Sequence, residues 1–233
     1  MTGKMVPLAD ITEADITAMY ALMEQYYEQT DAETFRRDMA AKDYVLTLRD
    51  EGEIVGFSTQ KVLTVEVDGK GVSGVFSGDT IIRRDHWGEQ ELFRIWSQFW
   101  FPYARNFDEF WWFLICKGYK TYRILPTFWE EFYPTFCRET PAHEQAVMDA
   151  YAKALYPDEY EPSSGVIVYR HEKDRLRPGV ADADEHRLKN KDIAYFCERN
   201  PGWQQGNDLV CLARMDTAAM KRRSPAILGI EGL

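Results

Sequence analysis

One acidic side chain interrupts an apolar stretch of the sequence. Asp79 lies inside residues 72–82, a segment whose composition predicts a β-strand. A carboxyl group surrounded by apolar side chains holds its proton to higher pH, because burial disfavours the charged form. Its pKa then moves towards the range that suits a general base. Asp79 is therefore a candidate catalytic base, and the alternative is a carboxylate at a sheet edge or turn that Thr80 or an arginine satisfies.

The histidines and cysteines lack the spacing of metal ligands. No CxxC pair is present, and His143, His171 and His186 have no ligand partners at the spacing of a metal site. The sequence thus predicts no metal and reduced thiols. Cys116 ends an apolar run and is a candidate nucleophile, but no histidine is placed beside it, and the alternative is an inert buried thiol. The four cysteines are Cys116, Cys137, Cys197 and Cys211.

The charge of the chain limits its partners. A formal net charge of −10 over 233 residues argues against a general nucleic-acid binder, since such proteins need a basic face for phosphates. No apolar run is long enough to span a bilayer and no signal peptide is recognisable, so we expect a soluble, cytoplasmic protein. Basic residues nonetheless cluster mid-chain, which suits an anionic small molecule or a carrier-protein surface, with a solvated face as the alternative. The cluster consists of Arg83, Arg84, Arg94, Arg105, Lys117, Lys120 and Arg123.

Hydrophobic periodicity predicts the elements of the first half of the chain. Thr12 and Asp15 have the spacing of a capping box, and a pair of helices is predicted over residues 12–41. Gly-containing turns separate three following strands, which predicts an antiparallel meander. The three strands are predicted at residues 44–49, 54–67 and 72–82.

The second half begins with a loop and an amphipathic helix at 89–103, followed by an apolar run at 110–116 that predicts a buried strand. Aromatic residues are dense between positions 93 and 136, which indicates either a bulky core or an apolar cleft. The later elements are predicted as a helix at 144–155, a strand at 165–170, an exposed charged stretch at 172–185, a helix at 190–199 and a strand at 208–215.

This order of elements resembles the GNAT superfamily of acyl-CoA-dependent N-acyltransferases from residue 4 to about residue 215. The polar opening ITEAD before a helix, and the segment YVLTLRDEGEIVGFSTQ, are similar to the start and the second and third strands of that family. The resemblance implies a GNAT-like α/β fold, with a mixed, mainly antiparallel central sheet flanked by helices. It also implies a single domain over residues 1–233, of which 139–233 form an elaborated C-terminal part.

In that family, a strand runs into a loop of the pattern Gln/Arg-x-x-Gly-x-Gly/Ala, whose backbone N–H groups bind the donor's pyrophosphate at the start of a helix. The matching segment here keeps Gly88, whereas Glu89 and Gln90 stand where the family has small residues. The negative charge of Glu89 would be offset by Arg83 and Arg84. The resemblance therefore implies a degraded donor site made of Ile82, Arg83, Arg84, His86, Trp87, Gly88, Glu89 and Gln90.

The resemblance also implies where in the fold the reaction takes place. The family's donor cleft opens where the strands matching residues 72–82 and 110–116 splay apart, and Gly78 there predicts a bulge or a close backbone approach. Family members commonly use a tyrosine after the second of these strands to protonate the departing thiolate. That role falls on Tyr122 or Tyr119, and packing is the alternative for both.

The sequence thus predicts an N-acyltransferase that moves an acyl group from a thioester to a small-molecule amine acceptor. The co-substrate is acetyl-CoA or a longer acyl-CoA, or an acyl group on a carrier protein, and the aromatic residues favour a longer chain. The alternatives are a non-catalytic GNAT-like binding or structural module, and a hydrolase that uses Cys116.

Overall fold

The structure, a computed structural model that describes residues 1–232, contains one large sheet flanked by helices. Its strands are β1 (Thr2–Pro7), β2 (Tyr27–Glu28), β3 (Tyr44–Asp50), β4 (Glu53–Val67), β5 (Lys70–Ile82), β6 (Phe110–Cys116), β7 (Phe132–Tyr133), β8 (Tyr160–Glu161), β9 (Val166–Ile167), β10 (Arg175–Leu176) and β11 (Asp208–Arg214). Its α-helices are α1 (Glu13–Met23), α2 (Ala32–Ala40), α3 (Glu91–Ala104), α4 (Tyr119–Tyr122), α5 (Ile124–Phe128), α6 (Ala142–Leu155), α7 (Lys191–Arg199) and α8 (Ser224–Leu228).

The sheet is mixed and mainly antiparallel. Nine of the described strands form it in the order β1-β3-β4-β5-β6-β11-β9-β8, with β7 also paired to β11. Strands β5 and β6 run parallel, and the neighbouring pairs β4–β5 and β6–β11 run antiparallel. The predicted meander β3–β4–β5 and the predicted fold class are confirmed. Strands β2 and β10 pair with each other outside this sheet.

Helices cover both faces of the sheet, because successive side chains of a strand point to opposite sides. On one face, α1 and α2 pack over β3 to β5, and α6 packs over β5, β6 and β11. On the other face, α3, α4, α5, α7 and α8 pack over the same strands. Within residues 1–232, no helix combines the length and the apolar character that crossing a membrane requires.

The predicted helices and strands around the central sheet agree closely with the structure. The capping box of Thr12 and Asp15 starts α1, and β6 has the predicted bounds. Helix α3 begins at Glu91, two residues later than predicted, because Gly88 adopts a positive φ of 96° and keeps the chain in a turn.

Three C-terminal features differ from the prediction. The strand expected at 165–170 is reduced to β9, and the short helix α8 was not foreseen. The stretch expected to be exposed at 172–185 contains β10 and buries Val180 and Ala181. It does so because β10 pairs with β2 and holds the stretch against the body of the protein.

Candidate functional site

A gap opens between two neighbouring strands of the sheet. Strands β5 and β6 pair from Ser73 and Phe110 as far as Ser77 and Leu114, and no further pair follows among the described residues. Strand β5 continues to Ile82, paired only to β4. Beyond Ser77, the backbone edge of β5 on the β6 side therefore has no strand partner. A cavity of about 730 Å³ lies in this gap.

A β-bulge shapes the edge of the gap. Ser58 of β4 pairs with Thr80 of β5, whereas Gln60 pairs with Ser77, so that Gly78 and Asp79 together oppose Thr59. A bulge bends its strand and re-aims the side chains in it. A Cβ atom at Gly78 would lie only 2.6 Å from Thr59 Oγ1, which explains why this position holds a glycine. The bulge predicted at Gly78 is thus confirmed.

Asp79 lines the cavity from this bulge. Burial raises the pKa of its carboxyl group, and Lys42 opposes part of that rise. The partner considered for it in the sequence, the Thr80 hydroxyl, lies 2.7 Å from Ser58 Oγ and donates to the Gly78 carbonyl instead. Among the described residues, no side chain hydrogen-bonds or ion-pairs with the Asp79 carboxylate.

Charged residues and tyrosines form one part of the cavity wall, here called the charged chamber. Lys117 Nζ lies 3.3 Å from Asp208 Oδ2 and 3.4 Å from Asp174 Oδ2. The Tyr169 hydroxyl donates to Asp208 at 3.0 Å, and Lys173 pairs with Asp174 at 2.5 Å. The charged chamber consists of Tyr27, Asp38, Lys42, Asp79, Lys117, Tyr156, Tyr169, Lys173, Asp174 and Asp208.

Aromatic and aliphatic residues form another part of the wall, here called the apolar chamber. The rings of Trp96 and Trp112 have centroids 4.6 Å apart, and those of Phe93 and Phe128 are 4.9 Å apart. The sequence left open whether these aromatic residues form a core or line a cleft. In the structure they do both, because they pack against one another and also line the cavity. The apolar chamber consists of Leu92, Phe93, Trp96, Trp112, Leu114, Ile124 and Phe128.

A polar network that the sequence did not indicate supports the apolar chamber. Gln60 Oε1 accepts hydrogen bonds from Trp96 Nε1 and from the Ser77 hydroxyl, both at 2.9 Å. Ser77 Oγ in turn accepts from Trp112 Nε1 at 3.0 Å. Buried indole N–H groups need such acceptors. The signal that could have revealed the network is the set of polar residues Ser58, Gln60 and Ser77 in β4 and β5, all three of which the structure buries.

The loop that the resemblance assigned to the donor lies at the cavity, but its charges are arranged differently from the prediction. Arg83 pairs with Asp85 at 2.9 Å and with Glu53 at 3.7 Å, so it is not free to offset Glu89. His86 Nδ1 lies 3.2 Å from Glu89 Oε1. Arg83, Arg84 and His86 do not line the cavity, whereas Ile82, Trp87, Gly88, Glu89 and Gln90 do.

The backbone N–H groups of this loop are partly used within it. Those of His86, Trp87 and Glu89 donate to carbonyls of the loop itself. Helix α3 begins with Gln90 as N-cap residue, and no side chain caps it. The first-turn N–H groups of a helix have no partner inside the helix, so the start of α3 offers free donors and a positive dipole end beside the cavity.

Basic side chains near the same loop lack carboxylate partners. Lys120 Nζ lies 3.6 Å from the centroid of the Trp87 ring, and the Arg84 guanidinium lies 5.0 Å from it. Arg123 lines the cavity, and its Nε atom is buried without a hydrogen-bond partner. Burial lowers the pKa of Lys120, and the nearby charges of Arg187 and Arg84 lower it further. Among the described residues, no ion pair neutralises Arg84, Lys120, Arg123 and Arg187, which form a basic cluster. Lys120 and Arg123 of this cluster line the cavity.

The two tyrosines predicted as proton donors lie outside the cavity. Tyr122 is fully buried, and its hydroxyl donates to the Pro134 carbonyl at 3.0 Å. Tyr119 is also buried, and its hydroxyl has no hydrogen-bond partner. Burial raises the pKa of both phenols, which is opposite to the effect expected from neighbouring basic residues. Because the two residues share one face of α4, both side chains point into the core and do not line the cavity.

The cysteine candidate is also buried away from the cavity. Cys116 is fully buried next to Cys211, and burial raises the pKa of its thiol, so it lacks the exposure and thiolate character of a nucleophile. Within residues 1–232, no group of three or more histidine, cysteine or acidic side chains is placed to hold a metal ion.

No protein-family model matches the chain, and no curated protein matches it in sequence. Solved structures that match part of the chain at low identity include several N-acetyltransferases. They include a probable N-acyltransferase from Enterococcus faecalis, at 15% identity and a TM-score of 0.41, over 53% of this chain and 32% of that one. The similar part thus spans about a third of the E. faecalis protein.

Two further similar structures contain coenzyme A or its acetyl thioester. Arabidopsis thaliana NAA60 in complex with acetyl-CoA is 12% identical, over 55% of this chain and 86% of that one, with a TM-score of 0.40. The Escherichia coli GNAT family N-acetyltransferase YhbS in complex with CoA is 14% identical, over 62% and 78%, with a TM-score of 0.39. The present chain has an α/β fold with a mixed, mainly antiparallel sheet and flanking helices.

Proposed function

We propose that this protein is an N-acyltransferase that moves an acyl group from a thioester donor to an amine. The observation that carries the proposal is the gap beside the bulge at Gly78 and Asp79, where a free backbone edge and an unpaired carboxylate face one cavity. A free strand edge can bind the amide groups of a pantetheine arm as a neighbouring strand would. The carboxylate can take a proton from an amine bound beside it.

The donor fits the side of the cavity next to α3. Its phosphates would lie near the free N–H groups at the start of α3 and the basic cluster of Arg84, Lys120, Arg123 and Arg187. These side chains would take over from the glycine-rich loop, since only Gly88 of that pattern is present. The apolar chamber offers an environment for the acyl chain, which favours a donor longer than acetyl.

The reaction follows from these positions. Asp79 takes a proton from the substrate ammonium, and the resulting amine attacks the thioester carbonyl. The oxyanion that forms is stabilised by backbone N–H groups at the bulge, which are held in place before reaction. The new C–N bond then remains, the C–S bond breaks, and the second proton of the amine passes to the sulfur, directly or through solvent. Tyr119 and Tyr122 take no part, because both lie in the core.

An assay of thiol release tests the proposal. The full chain is mixed with acyl-CoA thioesters of two to sixteen carbons, or with acyl carrier protein, and a panel of amines, and free thiol is followed. We expect release that depends on the amine, and a loss of at least about 100-fold in the Asp79→Asn variant, as is typical when a general base is removed. Asp68→Asn is the matched control, because Asp68 lies in the exposed turn at the other end of the β4–β5 hairpin. Absence of release with every amine and donor would contradict the proposal.

The second candidate is a non-catalytic GNAT-like binding module. It is favoured by Glu89, which places a carboxylate on the wall where a diphosphate would lie, and by the loop N–H groups that are already bonded. Calorimetric titration with coenzyme A and with acyl-CoA distinguishes the two candidates. Binding without amine-dependent turnover supports the module, and turnover excludes it.

A further inference from the structure

Two opposite charges in the charged chamber lack partners of their own. Asp79 has no hydrogen bond or ion pair among the described residues. The Lys42 ammonium donates to the backbone carbonyl of Asp38 at 2.9 Å, and no carboxylate of residues 1–232 lies within ion-pairing distance of it. Both side chains line the cavity. Both residues are partly buried, and a charge that has lost part of its water is costly unless it is paired. A bound group of opposite charge would therefore stabilise each of them.

The remaining charges of the charged chamber are already compensated. Lys117 and Lys173 pair with Asp174 and Asp208, which makes a neutral group of two cations and two anions. Asp38, the other acidic residue, is half exposed and lies within 3.9 Å of Arg37 Nε. Within the charged chamber, Lys42 and Asp79 are therefore the two charged groups without an ion-pair partner.

These two groups flank the same part of β5. A Cβ atom built on Gly78 would lie 3.0 Å from Lys42 Cε and 3.7 Å from Lys42 Nζ. The ammonium thus lies beside the bulge that also carries Asp79, and the two charges influence one another. The two groups are thus near each other without forming an ion pair, and both line the cavity.

We infer that the amine acceptor is a small zwitterion, an amino acid in the broad sense, whose ammonium faces Asp79 and whose carboxylate faces Lys42. This inference rests on the proposed function and names its substrate class. A simple amine would leave the Lys42 cation unpaired, and a dicarboxylate would bring a negative charge towards Asp79. A zwitterion satisfies both groups at once. The rings of Phe76, Tyr27 and Tyr156 also line this region and would pack against its side chain.

The first arm of the test compares matched substrates. Panels of α-, β- and γ-amino acids are offered with an acyl thioester, and each is compared with its carboxamide, which keeps the amine and removes the negative charge. We expect kcat/KM for the best amino acid to exceed that for its carboxamide by at least tenfold. Equal or faster acylation of the carboxamide would overturn the inference and leave the acyltransferase proposal standing.

The second arm tests Lys42 itself. In Lys42→Met, which keeps the length of the side chain, we expect the ratio of amino acid to carboxamide kcat/KM to fall towards one. Lys61→Met is the matched control, because Lys61 is a nearby, partly buried lysine that does not line the cavity, and it should keep the wild-type ratio. A wild-type ratio in Lys42→Met would overturn the inference.

The third arm measures binding without donor, which separates this inference from the proposed function. Calorimetric titration of the wild-type chain should give at least tenfold tighter binding of the preferred amino acid than of its carboxamide. Tighter binding without any acylation would support the ligand class and count against acyl transfer. Equal binding of both compounds, or no binding of either, would overturn the inference whatever the turnover.

Discussion

At the scale of single residues, the surroundings of Asp79 and of the two tyrosines determine what each can do. Asp79 attracts notice in the sequence because a carboxylate inside an apolar strand is unusual in any fold, and in the structure it lines the cavity. The tyrosines could not be placed, because the face of a four-residue helix depends on distant partners. Tyr122 meets Pro134 and Phe196, which are remote from it in the chain.

The raised pKa of Asp79 predicts opposite effects on activity and stability. In the folded protein the pKa of Asp79 lies above its value in the unfolded chain, so the unfolded state loses this proton first as pH rises. Stability therefore falls between the unfolded and the folded pKa, and stays lower above both. Asp79→Asn should remove this loss, so its thermal midpoint should exceed that of the wild type more at pH 8 than at pH 4. A variant that is less stable than the wild type at pH 8 would contradict the account.

The position of Tyr122 predicts a structural effect without a catalytic one. Tyr122→Phe removes the hydrogen bond to the Pro134 carbonyl, which should lower the free energy of unfolding by about 1 kcal/mol. Because the hydroxyl lies outside the cavity, kcat for thiol release should stay within twofold of the wild type. A tenfold fall in kcat, with an unchanged KM, would return Tyr122 to the mechanism. Urea denaturation and the thiol assay measure the two quantities.

At the scale of elements, local patterns predicted the central sheet well. The meander and β6 follow from alternation, apolar runs and Gly-containing turns, which are signals carried by neighbouring residues. Residues 172–185 were predicted to be exposed because they are charged. In the structure part of this stretch instead lines the cavity, since Lys173 and Asp174 pair there and β10 pairs with β2. That placement depends on contacts with residues 117 and 208, which no local pattern reveals.

Lys117 follows β6 and contacts both the residue that precedes β10 and the first residue of β11. Its ammonium donates to the carbonyls of Asp174 and Gly206 and pairs with Asp208, which is only 2% exposed. Lys117→Met should lower the free energy of unfolding by about 3–5 kcal/mol, because it leaves a buried carboxylate uncompensated. In the double variant Lys117→Met/Asp208→Asn, part of that loss should be recovered. Urea denaturation of both variants checks this, and equal losses in the two would contradict it.

At the scale of the whole molecule, a net charge of −10 coexists with a basic cluster at the cavity. The cluster differs from the predicted one. Arg83 is neutralised by Asp85, whereas Lys120 and Arg123 remain unpaired beside the cavity and are joined by Arg187 from the C-terminal part. The basic residues of the sequence indicated an anionic ligand. Which of these residues are free to bind it depends on the ion pairs formed in the folded chain, which the sequence does not reveal.

This basic cluster predicts how donor binding responds to salt and to substitution. Lys120→Met and Arg123→Met should each weaken coenzyme A binding about tenfold, which is equivalent to about 1.4 kcal/mol. The loss should shrink at high salt more for Lys120, which is exposed, than for Arg123, which is partly buried, since ions screen exposed charges. Arg105→Met is the control, because Arg105 is exposed at the opposite end of α3. Titration calorimetry at two salt concentrations measures the effect, and an equal loss in the control would contradict it.

The gap between β5 and β6 is the central feature of this account, and a crystal structure with bound coenzyme A tests it most directly. We expect the pantetheine arm to lie in the gap along the free edge of β5, with the sulfur near Gly78 and Asp79. The phosphates should lie near Lys120 and the start of α3. Coenzyme A bound elsewhere on the molecule, or β5 and β6 paired along residues 78–82 and 115–116, would contradict the account.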